Sequence, residues 1–298
     1  MASAIVATTS RPLHACACGC GIFSVGTGAM QPTTQGGLAY VEYDFINQHR
    51  NYSGTKSAPA ANNDDKQIRT QFYTAGVQYM FNRKWGILGE APYWQRYFKT
   101  TDGDTGNIVG FDHGSLGDIR LKAMYTGLSS DLSTGLTFGV KLPTGDYRYA
   151  YFDPDTQIGS GSPDLLLGAY RTARLTADEK YIWFASGQAE LPVLHQAGYR
   201  PGYEVDGAVG AYLNGGRTPE TTVAPLVQLL ASQRTRDGGA NSTPTDGGYS
   251  RLFGSRGIEA HFSGYRVYAD VAFPVWQNVN GNQLMATEQF KVNVGRYF

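Results

Sequence analysis

The sequence predicts an all-β protein, a single transmembrane, antiparallel up-and-down β-barrel of about twelve strands. Three observations support this prediction. Only 17% of the 298 residues are charged, whereas 38 are glycine and 20 are tyrosine, and soluble domains usually carry about 25% charged residues. Segments of about 10–15 residues with alternating apolar and polar side chains recur along the chain. No segment approaches the roughly 20 apolar residues that a membrane-spanning helix needs.

The last predicted strand, Gln283–Phe298, shows the alternation well. Phe290, Val292, Val294 and Phe298 share one side because side chains alternate along a strand. An amphipathic final strand that ends in Phe is similar to the C-terminal signal of bacterial outer-membrane barrels. We therefore expect the barrel-assembly machinery, acting through the strand that ends at Phe298, and the lipid bilayer as partners.

The remaining strands are predicted from the same two-residue period. Short turns and long polar loops separate them in alternation, as in bacterial barrels, where the short turns are periplasmic and the long loops extracellular. Both termini are then expected in the periplasm of an outer-membrane protein. The predicted strands are Leu38–Gln48, Ile68–Phe81, Trp85–Thr100, Ile119–Tyr125, Leu136–Leu142, Asp164–Leu175, Tyr181–Leu194, Glu204–Leu213, Thr221–Arg236, Tyr249–Phe262, Tyr265–Gln277 and Gln283–Phe298.

Residues 1–34 are predicted to lie outside the barrel, which occupies residues 35–298. The first part resembles the remnant of a secretory signal, and a Cys-rich periplasmic segment follows it. All three cysteines lie here, and Cys16, Cys18 and Cys20 alternate behind His14. Three thiolates and an imidazole suit Cu(I) or Zn(II). A disulfide with one free thiol, a link to a partner, lipidation and no specific role remain open alternatives.

The polar face of the predicted strands is expected to line the barrel interior. Its charges have both signs and should pair with one another, because an unpaired buried charge is costly. The prediction is therefore an ion-paired lumen with a narrow or plugged passage. The lumen or pathway residues are Glu42, Asp44, Asp118, Arg120, Lys122, Lys141, Glu190, Glu204, Asp206, Arg266 and Asp270.

The balanced charge and the low histidine content, five residues in all, argue against several classes of function. The 25 Lys and Arg residues balance 25 Asp and Glu residues, so no nucleic-acid partner is expected. An enzyme is not expected either. A barrel lipase is a remote alternative, because its Ser–His pair would have to be His113 with Ser115 or His261 with Ser263. No cofactor is expected apart from the metal alternative.

Three longer runs carry a family resemblance. Thr134–Tyr147 (TGLTFGVKLPTGDY), Asp153–Tyr170 and Val267–Leu284 resemble the meta-pathway phenol-degradation family of outer-membrane proteins. The resemblance implies a barrel for the uptake of small, often aromatic, compounds, and it implies no catalytic residues. We therefore expect a transporter or channel for a small hydrophobic or aromatic molecule. The metal-linked protein is the alternative function.

Aromatic residues at the predicted loops are candidates for an outer vestibule that would receive such a molecule. For the two tryptophans an aromatic girdle at the membrane surface is the preferred interpretation. The candidates are Tyr93, Trp94, Tyr147, Tyr149, Tyr151, Phe152 and Trp276.

Overall fold

In the computed structural model of the chain, the described residues are Phe23 and residues 36–178, 180–194, 198–213, 216–217 and 221–298. They form β-strands and one short 3-10 helix, Ala60–Asn62. No helix in this part of the chain is long and apolar enough to cross a membrane. The strands are β1 Gly36–Gly54, β2 Lys56–Ser57, β3 Asp65–Met80, β4 Trp85–Thr101, β5 Ile108–Leu116, β6 Ile119–Tyr125, β7 Thr134–Leu142, β8 Asp164–Arg174, β9 Tyr181–Pro192, β10 Glu204–Leu213, β11 Gly216–Arg217, β12 Thr221–Arg234, β13 Tyr249–Phe262 and β14 Tyr265–Tyr297.

Eleven of these strands form a closed ring. Each pairs with its neighbours in an antiparallel manner, and the pairing of β10 with β12 completes the circle. Strands β2, β5 and β11 are peripheral, and they pair with β1, β4 and β12. The prediction of an all-β, antiparallel barrel is therefore confirmed, and closure leaves the ring without the exposed edge strands of an open sheet.

The strand count differs from the predicted twelve at β14, which is one strand of 33 residues. The predicted loop at Asn278–Asn282 does not interrupt it, because Asn278 and Val279 still pair with β13. The strand nevertheless folds back near Gly281, whose φ is +61°. The N–H of Tyr297 donates to the carbonyl of Gly264 at 2.9 Å, so the two ends of the strand meet. Its two arms therefore occupy two positions in the wall.

Strand β5 was absent from the prediction. β4 pairs with β6 from Trp85 to Glu90 and with β5 from Tyr93 to Thr101. Strand β5 thus extends the wall beyond β6, and the two are separated at Gly117 and Asp118. Asp118 therefore lies outside both strands, at the point where β5 and β6 separate.

The barrel has two ends, which we name for what they carry. The terminal end holds Gly36, Phe298 and the short turn at residues 81–84. The loop end is opposite and holds the mouth loop, residues 143–163 between β7 and β8. We use these two names below.

The two faces of the wall have opposite chemistry. Val41 is 59% exposed, whereas the adjacent Glu42 is 3% exposed. Val227 is similarly exposed, and Lys122 and Asp44 are similarly buried. Soluble proteins bury valine and expose charge, so this arrangement is inverted. The apolar side chains face outward and the charged ones face the interior of the barrel.

Aromatic side chains lie on the outer face of the barrel near the terminal end. Tyr79 packs against Phe298 with ring centroids 6.2 Å apart, and against Phe81 at 5.5 Å. Trp85 packs against Tyr125 at 4.8 Å. Aromatic side chains are thus grouped on the outer face at this end of the barrel.

Candidate functional site

The first feature of the interior is a group of ion pairs around Lys141, which we call the Lys141 cluster. The Lys141 ammonium contacts the carboxylates of Asp164 and Glu190. Arg120 Nη2 lies 3.6 Å from Glu190 Oε2. These four residues come from four consecutive strands of the ring, β6 to β9. The cluster therefore links these four strands through ion pairs, in addition to their backbone hydrogen bonds.

A second group joins β1 to the final arm of β14. Lys291 Nζ lies 3.2 Å from Glu42 and 3.3 Å from Asp44. The amide of Asn293 donates to Glu42 at 3.1 Å. In a third group, Lys122 lies 3.4 Å from Glu90, which also accepts a hydrogen bond from the Tyr40 hydroxyl at 2.8 Å.

The remaining predicted interior residues are also on the buried face. Arg266 pairs with Glu259. Asp270 accepts hydrogen bonds from Gln228, Ser255 and Tyr268 at 2.7–2.8 Å.

Glu204 accepts hydrogen bonds from Ser232 and Tyr249 at 3.1 and 3.0 Å, and Asp206 is 5% exposed. The structure thus brings the predicted charges into several separate groups. Among the described residues, sequence reasoning missed five charged partners, because only the register shows which charges oppose each other; they are Glu90, Asp164, Arg251, Glu259 and Lys291.

Asp118 has a different role from the other interior charges, since it binds both ends of the mouth loop. Its Oδ1 accepts the N–H of Gly145 at 2.9 Å. Its Oδ2 accepts the N–H and the hydroxyl of Ser160 at 2.9 and 2.7 Å. The loop ends cross closely here, because a Cβ on Gly159 would lie 2.3 Å from the Gly145 carbonyl oxygen. Glycine permits this approach.

Arg96, on β4, holds the middle of the mouth loop. Its guanidinium donates to the carbonyls of Thr156 and Gln157, the latter at 3.2 Å, and to the Thr70 hydroxyl at 2.9 Å. Arg96 itself is almost fully buried. Charge-assisted bonds of this kind are stronger than neutral ones. The loop is therefore fastened at its ends and at its middle.

Apolar packing completes the closure of the mouth. Phe152 of the mouth loop is buried against Ile68, Phe98 and Leu284, with its ring 5.3 Å from that of Phe98. These partners belong to β3, β4 and β14, whereas the loop starts and ends at β7 and β8. The loop therefore crosses the bore at the loop end.

Two cavities flank the mouth loop. An inner cavity of about 100 Å³ is lined by Trp94, Asp118, Arg120, Lys141, Glu190 and Asp206, among others. An outer cavity of about 200 Å³ is lined by residues that include Tyr147, Arg148, Tyr199 and Asn241. Gln157, Gly159 and Ser160 line both. The loop is thus a partition between an outer space and the charged interior.

Several predicted vestibule aromatics do lie at the mouth. Tyr149 stacks on His113 with ring centroids 3.6 Å apart, and Tyr151 stacks on Phe111 at 4.3 Å. Trp276 is exposed on the wall. The girdle assignment of Trp94 was wrong. Its ring packs against Phe72 at 4.7 Å and lines the inner cavity, because even-numbered residues of this part of β4 face inward.

The two Ser–His pairs of the lipase alternative are engaged elsewhere. His113 Nε2 lies 3.1 Å from Asp146, and the Ser115 hydroxyl donates to the carbonyl of Leu116 at 3.0 Å. His261 pairs with Glu259 at 2.6 Å. A hydrolase needs the base hydrogen-bonded to the nucleophile, and these contacts give no support to that alternative.

The predicted metal ligands His14, Cys16, Cys18 and Cys20 lie outside the described residues. Within the described residues, no group of three or more His, Cys, Asp and Glu side chains is placed to hold a metal ion. The Cu(I) or Zn(II) site of the N-terminal segment therefore stays a prediction.

Two partly buried carboxyl groups make the mouth loop sensitive to pH. Burial raises the pKa of Asp153 to about 6. Burial and the nearby Asp153 carboxylate raise the pKa of Asp155 well above its ordinary value. A raised carboxyl pKa favours the protonated, packed loop, so this stabilisation is complete below about pH 4 and is lost as the pH rises through about 6.

We therefore expect the ionic conductance of the purified protein in planar bilayers to rise between about pH 5 and pH 7.5. The double variant Asp153→Asn/Asp155→Asn should flatten this rise, because neither amide ionises. Asp104→Asn, at an exposed position of the loop between β4 and β5, is the control and should keep the wild-type profile. An unchanged profile in the double variant would contradict the role of these two carboxyl groups.

Comparison with known proteins shows that other proteins share this fold. No family model and no curated protein matches the chain, so the resemblance to the phenol-degradation family stays a prediction. An outer membrane channel from Pseudomonas putida F1 aligns with a TM-score of 0.68 at 14% identity, covering 92% of this chain and 100% of that one. The beta domain of the Bordetella autotransporter BrkA aligns at 0.52 and 12% identity, covering 89% and 100%. At these identities the likeness shows a shared barrel fold.

Proposed function

We propose that the protein is a bacterial outer-membrane channel for a small molecule, with a charged, ion-paired lumen that the mouth loop closes at one end. The observation that carries the proposal is the inverted wall, in which Val41 faces outward beside the buried Glu42. Such a wall has the apolar outer band and the polar interior of an outer-membrane barrel. The alignment with a Pseudomonas putida channel supports the same reading.

The interior supports selective passage of small solutes over general diffusion. The Lys141 cluster and the Lys291 pairs place fixed charges inside the bore, and the inner cavity below the mouth loop has a volume of only about 100 Å³. A wide porin instead keeps an open aqueous lumen. Passage therefore requires the mouth loop to move.

A small hydrophobic or aromatic permeant is our proposal for the substrate class. The stacked pairs of Tyr149 with His113 and Tyr151 with Phe111 lie at the loop end. Aromatic walls of this kind suit a flat apolar molecule. In the proposed orientation the loop end faces outward and both termini are periplasmic, with Phe298 available to the assembly machinery.

We expect reconstituted wild-type protein to give small, discrete conductance steps in planar lipid bilayers. The steps should be well below those of an open sixteen-stranded porin run in parallel, because the loop and ion pairs narrow the bore. Detergent alone, treated identically, is the control. Absence of steps from folded wild-type protein at both pH 5 and pH 7.5 would refute the channel.

A further inference from the structure

We infer that the pocket holding the Phe23 ring is a binding site for one neutral aromatic ring of a permeant, with Phe23 as its resident occupant. The inference rests on the proposed channel function and names a site inside the bore. It starts from an unusual placement. Phe23 precedes the first strand of the ring, yet only 2% of its surface is exposed.

The pocket is an apolar patch on the inner wall. Its walls come from five strands, β9, β10, β12, β13 and the first arm of β14. The buried apolar residues that form one cluster with Phe23 are Phe184, Ala208, Leu230, Phe253 and Ala272. The five residues have hydrocarbon side chains and are themselves buried. The same inner face carries the charged groups described above, and an apolar patch among them suits an apolar ligand.

The Phe23 ring makes two contacts that are specific for aromatic groups, one edge-to-face contact and one cation–π contact. Its centroid lies 5.3 Å from that of Phe253 at an interplanar angle of 69°, an edge-to-face arrangement. The guanidinium carbon of Arg251 lies 4.7 Å from the ring centroid, within cation–π distance. Lys291 Nζ also donates to the Phe23 carbonyl at 3.5 Å. The pocket therefore selects a ring and not merely an apolar volume.

The charges around the pocket favour a neutral ligand. Lys291, the cation nearest the Phe23 carbonyl, already lies within 3.3 Å of Glu42 and Asp44. An aryl carboxylate would add a third negative group beside this lysine. A neutral arene adds no charge and keeps the cation–π contact with Arg251.

Phe23 is covalently part of the chain, so its ring competes with a free ligand at a high local concentration. A permeant must therefore displace the ring to enter the pocket. Toluene is the matched probe, because it is the Phe side chain detached from its backbone.

The test uses full-length protein with Phe23→Ala, checked for folding by its heat-modifiable migration on gels. Calorimetry should show saturable toluene binding at least tenfold tighter than to wild type, and weaker binding of benzoate. Adding Ala272→Leu to that variant refills the pocket from the wall and should abolish the binding. Cells producing Phe23→Ala should take up labelled toluene several-fold faster than cells producing wild type, and the double variant should reverse this gain.

No toluene binding by folded Phe23→Ala would overturn the inference. Binding without a change in toluene uptake would also overturn it, because the pocket would then be a cavity made by the substitution and not a site on the path. Either result with normal wild-type conductance steps leaves the channel proposal standing, whereas loss of those steps refutes the channel itself.

Discussion

Replacing Lys141 by methionine is expected to lower the free energy of unfolding by about 3–5 kcal/mol, the range for removing one partner of a buried ion pair. Lys141 contacts two carboxylates, and the side chain of Asp164 is completely buried. Without the ammonium, Asp164 and Glu190 repel each other inside the wall, although Arg120 still lies near Glu190. The urea midpoint of the folded, heat-modifiable form in detergent measures the loss.

Two further variants make the result specific. Lys56→Met removes an exposed lysine from the peripheral strand β2 and should change the free energy of unfolding by less than about 0.5 kcal/mol. Lys141→Met/Asp164→Leu removes both charges of the Lys141–Asp164 pair, leaves Glu190 near Arg120 and should recover much of the loss. If Lys141→Met and Lys56→Met have the same urea midpoint, the cluster does not stabilise the barrel.

Replacing Asp118 by alanine is expected to open the mouth and to raise the single-channel conductance several-fold. The carboxylate accepts three hydrogen bonds from the two ends of the mouth loop. A hydrogen bond to a charged group contributes about 1.5–3 kcal/mol. A loss of only about 3 kcal/mol would shift the ratio of closed to open loop roughly a hundredfold. Planar-bilayer recording at fixed pH measures the change.

Asp112→Ala is the matched control for this change. Asp112 is an exposed aspartate on β5, the strand that ends just before Asp118, and its replacement should leave the conductance unchanged. Folded Asp118→Ala protein with wild-type conductance would show that the loop does not close the channel. A rise in both variants would indicate a general loosening of β5.

The local pattern of the chain was sufficient to predict the wall. The predicted bounds of two strands, Glu204–Leu213 and Tyr249–Phe262, agree with the structure. The reason is that apolar and polar side chains alternate along each strand with a period of two residues. The polar face was predicted for the same reason. Pairing in β14 and β5 was missed, since hydrogen bonds to a neighbouring strand can continue through a polar segment that resembles a loop.

The sequence by itself determined that one face would be apolar and the other charged, because that property depends on neighbouring residues alone. Only the tertiary structure decided which charges meet. Asp44 opposes Lys291 across a register between the first and last strands. It also decided that the mouth loop crosses the bore and that Phe23 fills a pocket in the wall. Such contacts join residues that are far apart in the sequence. Their free energy includes the entropy lost when distant segments are brought together, which a local sequence pattern does not reveal.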